Sequence, residues 1–510
     1  MNRSNVRYQG LAGLLLLGAL SLAGCGSSPA ATPGPTGSTA STGPTGPAEP
    51  TGPSELRGSV LLGAPTATSI RVSILSPDPS GTVSVQYGMA PGPYTSETAP
   101  APLASGIPTV IAIGGLTPDG AYRYRVRFQS TDGAGSGVTG EQGFHTARPP
   151  GSTFTFTVQA DPHLDENSSP DLYLTALGNV AADAPDFHVD LGDTFMCEKH
   201  SAPLTGVLQS APDRATVYSR YAYERSNLGL VARAAPLFLV NGNHEGESGW
   251  LGNGTDESLP VWATHARQIY FVNPVPDAFY GGDAVEEPWV GKRAAWYSWT
   301  WGDALFVVLD PFWHTMARPG QDGWSLTLGE RQYRWLEATL ASSTARFKFV
   351  FIHNLVGGLD GQMRGGVEAA PYFEWGGKNA DGTAGFAARR PGWSQPIHPL
   401  LVKHGVSAVF HGHDHFYARQ ELDGIVYMEV PQPSTTHTQS GPNLAVDYHY
   451  ASGTILSSSG HVRVTVAPTG VTARYVRAWL PASETATRKN RQVDDTWSVA
   501  PPVTPAGKEP

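Results

Sequence analysis

Five segments of this chain read as short buried strands, and each runs directly into a cluster of Asp, His, Asn and Gly. Phe154-Thr155-Phe156-Thr157-Val158 leads to Asp161-Pro162-His163, and Phe187-His188-Val189-Asp190-Leu191 leads to Gly192-Asp193. Leu237-Phe238-Leu239-Val240 leads to Gly242-Asn243-His244-Glu245. Phe347 to Ile352 leads to His353, and Val406-Ser407-Ala408-Val409-Phe410 leads to His411-Gly412-His413-Asp414-His415. Short apolar or alternating runs that stop at turn residues are strand signals. Between them lie helical patterns such as Gly329 to Ser343, with Tyr333, Leu336 and Leu340 at helical spacing. Strands alternating with helices predict an α/β core. Ligands gather at the carboxyl ends of the strands in such cores, so the five polar ends are expected to meet at one site.

The residue types at those ends suit metal ions. In an extended segment, residues i and i+2 face the same side. Asp161 with His163, and His413 with His415, therefore each offer two donors together. Glycines at 192, 242 and 412 let the chain turn sharply at a strand end. Only two cysteines occur, Cys25 and Cys197, which excludes a disulfide framework and a thiolate zinc site. Any metal must be held by imidazole, carboxylate and amide oxygen, a donor set for Zn, Fe or Mn. Hydrolysis by two metals about 3.5–4 Å apart needs several such donors and one shared between the ions.

Taken in order, these blocks resemble the signature of the calcineurin-like metallophosphoesterases: D-x-H, G-D, G-N-H-[DE], a lone His, and G-H-x-H. The resemblance spans about 152–480. It implies an α/β fold, a four-layer αββα sandwich, with Gly460 to Ala478 in its second sheet. It implies two divalent or mixed-valence metal ions (Fe, Zn or Mn). One would be bound by Asp161, His163, Asp193 and His415, the other by Asp193, Asn243, His353 and His413, with Asp193 bridging. It further implies that a metal-bridging hydroxide attacks phosphorus while the catalytic His244 contacts the phosphate and assists the leaving group. His411 is read as structural or supporting. Asp165 and Asp414 are candidates for orienting the ligating imidazoles, and Asn354 is open. Arg364 is read as a solvated loop residue rather than a phosphate contact, and Trp296 to Trp301 as core. Insertions at 198–235 and 355–395 are expected to build the substrate pocket. The catalytic domain is placed at 151–482, followed by a flexible tail at 483–510.

Ahead of it, 56–148 shows period-two alternation, as in Tyr122-Arg123-Tyr124-Arg125-Val126, broken by turn residues. That pattern predicts an antiparallel sandwich. Leu116-Thr117-Pro118 with Tyr122, and the closing Phe144-His145-Thr146, resemble a fibronectin type III domain. The pairing of such a domain with a metallophosphoesterase resembles the layout of purple acid phosphatases. Their tyrosinate ligand falls where this chain has Met196, however, and their D-x-G block where it has His163.

The first 25 residues carry Arg3 and Arg7, an apolar run from Leu11 to Leu22, and then Leu22-Ala23-Gly24-Cys25. The run is too short for a membrane span, and its end resembles the bacterial lipobox. The expectation is an exported protein, lipid-anchored at the bacterial cell envelope through Cys25, with a Gly/Pro/Ser/Thr linker over 26–55 as tether. A formal net charge of -10 gives no basic footprint for nucleic acid. The oligomeric state has no signal in the sequence. The leading function is hydrolysis of phosphate esters. The alternatives are a surface nucleotidase or phosphodiesterase, and a non-enzymatic surface binding protein on a phosphoesterase scaffold.

Overall fold

Alternation in the N-terminal segment becomes two facing sheets. The computed structural model describes residues 56–77, 80–131, 136–197, 212–318, 322–358, 364–435, 437 and 440–501. The signal segment, Cys25 and the linker lie outside them. One sheet joins Ser59–Gly63, Ile70–Leu75 and Thr109–Ile113; the other centres on Gly81–Met89 paired with Ala121–Ser130. Tyr122, Tyr124 and Val126 point inward with Val72, Ile74 and Val85, while Arg123 and Arg125 between them stay half-buried. The hydroxyl of Tyr122 accepts from the Thr117 N–H at 2.8 Å and fastens the turn before its strand.

The remaining chain forms four layers, αββα. In the first sheet the strands run Leu237–Leu239, Phe187–Asp190, Phe154–Gln159, Gly460–Ala467, Gly470–Arg477, Val493–Val499. The first three are mutually parallel. In the second sheet Ala304–Val308, Phe347–Phe351, Ala408–His411 and Ile425–Glu429 are parallel neighbours. The inner faces meet in one aromatic core: Phe156, Phe187 and Phe238 pack with Trp299, Phe306 and Phe410. Trp299 and Trp301 are buried, as the sequence predicts. Helices Pro170–Ala182, Arg214–Ala232 and Leu259–Tyr270 cover the outer face of the first sheet, and Gly329–Ser342 and Ile397–Lys403 that of the second. Burial on both faces explains why Ala304–Val308 reads as a continuous apolar run rather than an alternating one.

Three expectations are corrected. The Gly460–Arg477 hairpin extends the sheet of Phe154–Gln159 rather than belonging to the second sheet. Its alternation identifies strands but cannot choose a partner. The segment after 483 is not simply a tail, because Val493–Val499 pairs along Gly470–Arg477. Trp497 there is 6% exposed and packs on Phe410; one anchoring indole among polar residues is a weak sequence signal. Residues 214–232 of the supposed pocket insertion form a helix that backs the first sheet. From it Arg225 donates to Ser59 Oγ at 2.9 Å and Ser73 O at 2.8 Å, seating the sandwich against the α/β layers. Among the described residues no helix is long and apolar enough to cross a membrane.

Candidate metal centre

Three strand ends of the first sheet and two of the second converge on one side of the core. The chain there leaves ordinary backbone space. Asp161, His163, Leu164, Asp193, Met196, His413 and His415 all have left-handed φ, from +48° to +81°. Such conformations cost a non-glycine residue about 1–3 kcal/mol each and persist only where surrounding contacts impose them. Gly192 makes its turn at φ +94°. Gly242 and Gly412 are needed for a different reason: a Cβ would stand 2.3 Å from Asp193 Oδ1 and 2.5 Å from Asp161 Oδ2, respectively.

The side chains gather into two donor groups, Asp161 with His163 and His415, and Asp193 with His353 and His413. The groups touch. Asp193 Oδ2 stands 3.1 Å from His353 Nε2 and 3.6 Å from His163 Nε2. Asp161 Oδ1 stands 3.6 Å from His415 Nε2 and 3.8 Å from His353 Nε2. Each carboxylate spends its other oxygen on a neighbouring loop: Asp193 Oδ1 accepts from His244 N, and Asp161 Oδ2 from His413 N, both at 2.8 Å. His353 Nδ1 faces the Leu191 carbonyl at 2.9 Å, which directs Nε2 at the carboxylates. His163 Nδ1 stands 3.5 Å from Asp165 Oδ2, the orienting contact the sequence suggested.

The centre fits metal ions on its own chemistry. Asp161 Oδ1, His163 Nε2, His353 Nε2 and Asn243 Oδ1 are buried without a hydrogen bond. Buried polar atoms are almost always satisfied, and four convergent exceptions of N and O type form a cation donor set. Burial alone would raise the Asp193 pKa, but His353 and His244 overcome it and hold the carboxyl well below its usual range. The same ion pairing raises His353 to about 9 against burial, which acts to lower it. Burial and then the His163 charge push His415 down to about 3.

A polar shell holds the loops in place. Glu245, 1% exposed, accepts from the N–H groups of Thr194 at 2.7 Å, Phe195 at 3.3 Å, Asp193 at 2.9 Å and Gly242. Four donors leave no acceptor for a proton on either oxygen, so the group serves as a carboxylate, although burial and the Asp193 charge push its pKa up to about 7. Its position was visible in the G-N-H-E block; its task was not.

Two further readings change. Arg364 is not a solvated loop residue. It donates to Asp414 Oδ1 at 2.7 Å and His413 O at 2.8 Å, and lies over the Tyr448 ring, 3.7 Å from its centroid. Asp414 accordingly holds Arg364 and the Tyr450 hydroxyl rather than an imidazole. His411 is structural, with Nδ1 2.8 Å from Glu429 Oε2, and Asn354 donates only to Leu355 O. A cavity of about 490 Å³ opens over the centre, bounded by His163, Asp193, His244, Arg364 and His415. It is also lined by Gln432, Thr435, Ser440, Leu444 and Tyr448, a stretch without sequence signal. Of the described residues of 355–395, Arg364 alone reaches it.

Two facing sheets with helices outside and donor-bearing strand ends gathered on one side, here behind an N-terminal β-sandwich, form a fold shared with two solved structures. The solved structure of PhoD is similar at a TM-score of 0.62, with 15% identity over 89% of this chain and 92% of that one. Purple acid phosphatase PPD1 from seeds of yellow lupin (Lupinus luteus) is similar at 0.56, with 16% identity over 86% of this chain and 74% of that one. By sequence the chain is 34% identical over 88 residues to tartrate-resistant acid phosphatase type 5 of Oryctolagus cuniculus, and spans 26% of that protein's length. No family model matches the chain.

Proposed function

We infer that this protein is a metal-dependent phosphoric ester hydrolase. The observation that carries the reading is the pair of donor groups joined through Asp193, whose Oδ2 faces both His163 and His353. Asp161, His163, Asp193 and His415 would hold one ion, and Asp193, Asn243, His353 and His413 the other. Two such ions supply a water nucleophile at neutral pH and neutralise charge on the phosphoryl group. Zn, Fe and Mn all suit the donors.

The chain's own residues do the rest. His244 lines the cavity with its side chain 23% exposed and Nε2 3.9 Å from Asp193 Oδ2. It would hand a proton to the leaving oxygen. Arg364, fixed by Asp414, lines the same cavity and would present positive charge to the phosphate. A cavity of about 490 Å³ lies in the range of small-molecule sites and leaves room for the organic part of an ester. Export and lipid anchoring through Cys25 belong to the same proposal and are supported by the Leu22-Ala23-Gly24-Cys25 sequence.

The test is metal analysis of the purified protein together with turnover of p-nitrophenyl phosphate and bis-p-nitrophenyl phosphate. Two metal equivalents and chelator-sensitive hydrolysis of either substrate are expected, and the preferred substrate separates monoesterase from diesterase. A protein that binds no metal and turns over neither ends the proposal.

A further inference from the structure

Helix Arg214–Ala232 carries two guanidinium groups into the interior, and they have different tasks. Arg220 is 1% exposed. Its Nε donates to Phe195 O at 2.7 Å, its Nη1 to Leu164 O at 3.3 Å, and its Nη2 to His163 O and Leu164 O. Glu224 Oε1 stands 3.7 Å from Nη2. The group is therefore spent on three backbone carbonyls rather than on a close ion pair.

Those carbonyls belong to the two loops that carry metal-centre residues, one through Asp161 and His163 and the other through Asp193. Loops whose residues take left-handed φ at Asp161, His163, Leu164, Asp193 and Met196 leave the sheet ladder, so their buried carbonyls need donors from elsewhere. A planar fork with five N–H groups can bind several carbonyls in a fixed arrangement. A helix on the outer face of the sheet thus reaches under both loops at once.

We propose that Arg220 is a positioning residue that clasps the Asp161–Leu164 and Asp193–Phe195 loops together and so presets the spacing of the two donor groups. This rests on the metal-centre reading above. It assigns Arg220 no contact with substrate or ion; it acts through the backbone of His163 and Phe195. Support of this outer kind is worth about 10–100-fold in metal affinity.

Arg225, five residues along the same helix, is the internal control. It is also fully buried but donates to Ser59, Ser73 and Tyr270 O, away from the loops. The experiment compares wild type, Arg220→Met, Arg220→Lys and Arg225→Met in the full chain. One arm titrates Zn²⁺ and Mn²⁺ against a chromophoric chelator. The other measures hydrogen exchange of 160–165 and 192–197 in chelator.

Arg220→Met is expected to lose 10–100-fold in metal affinity and to lose protection in both loops. Arg220→Lys, which keeps the charge without the fork, should fall between it and wild type. Arg225→Met should stay within about twofold of wild type in affinity, with loop protection intact. Wild-type affinity and loop protection in Arg220→Met overturn the proposal, as they do in Arg220→Lys should the Met variant not fold. Equal losses in Arg225→Met overturn it too, since they would mark a general loss of stability. If the wild type binds neither metal, the hydrolase reading falls while the exchange arm still decides the clasp.

Discussion

Replacing Glu245 with Gln removes one charge and almost no volume, and the consequence follows from four hydrogen bonds. Oε1 accepts from Thr194 N and Phe195 N, and Oε2 from Asp193 N and Gly242 N. A glutamine keeps one acceptor oxygen and turns the other position into a donor, so one pair of buried N–H groups is left facing an NH₂. Each unsatisfied buried donor costs about 1–3 kcal/mol, or roughly 4 kcal/mol for the pair. Asp193 sits at φ +55°, strain of about 1–3 kcal/mol that those bonds hold in place. The loss therefore exceeds the restraint, and the Asp193 loop should relax. Spread over the unit Gly52–Pro510, with an unfolding entropy of about 2.1 cal/mol/K per residue, the same cost lowers Tm by only about 4 °C. The expected signature is a small fall in calorimetric Tm with a large fall in bound metal and in p-nitrophenyl phosphate turnover. A Glu245→Gln protein with wild-type metal content and rate would show that the loop is held by other contacts and refute the reasoning.

Other perturbations separate the remaining roles. His244→Ala should keep both metals while turnover falls by about 10²–10⁴-fold, as for a lost general acid, whereas Asp193→Ala should lose metal and activity together; metal analysis with kinetics reads both, and a His244→Ala protein stripped of metal would make His244 a ligand. Iron-loaded protein should show no intense tyrosinate-to-iron band in visible absorption, because the purple-acid-phosphatase tyrosine position is held by Met196, which is fully buried; a strong band would mean that a different tyrosine ligates. Cys25→Ser should abolish lipid labelling and membrane retention, and an unlabelled wild type would sink the anchor. Burial works to raise the Glu247 pKa, but Arg267 and Arg293 hold it down to about 2; its ionised form then contributes about 3 kcal/mol above pH about 4.5 that is lost as pH falls towards 2. Acid unfolding followed by circular dichroism should therefore start at higher pH in Glu247→Gln, and coincident curves would contradict this.

The blocks that carry the donors were legible because each is local: a strand, a turn and one to three polar residues within about six positions. Convergence of five such blocks was inferable from the rule that α/β sites form at strand ends, and it held even though the strands divide between two sheets. Contacts made by distant residues were not legible. Arg220 lies 57 residues from His163 and 25 from Phe195 along the chain, and only the fold brings it beneath them. Gln432, Thr435 and Tyr448 carry no motif, and become a pocket wall because the chain after Glu429 returns across the site. Arg364 looked like a loop arginine because its partners, Asp414 and Tyr448, lie 50 and 84 residues further along the chain. Trp497 closes an edge that the composition around it does not announce.

The two aspartates show why the site is both built and strained by the same atoms. Asp161 and Asp193 each divide their carboxylate between tasks. One oxygen, Asp161 Oδ2 or Asp193 Oδ1, accepts a backbone N–H from the next ligand loop, at His413 or His244. The other oxygen faces the imidazoles. Each aspartate therefore clasps a loop with one oxygen and turns the other to the imidazoles, and the close approach it needs is what demands Gly412 and Gly242 beside it. An alanine at 193 removes both functions and cannot tell them apart. Asparagine keeps an oxygen to accept from His244 N and puts a neutral NH₂ towards His163 and His353. A loop that stays ordered in Asp193→Asn while metal is lost would assign ligation to Oδ2, whereas loss of both would mean that the ion pairs with His163 and His353, not the clasp alone, keep the two sheets' edges in register.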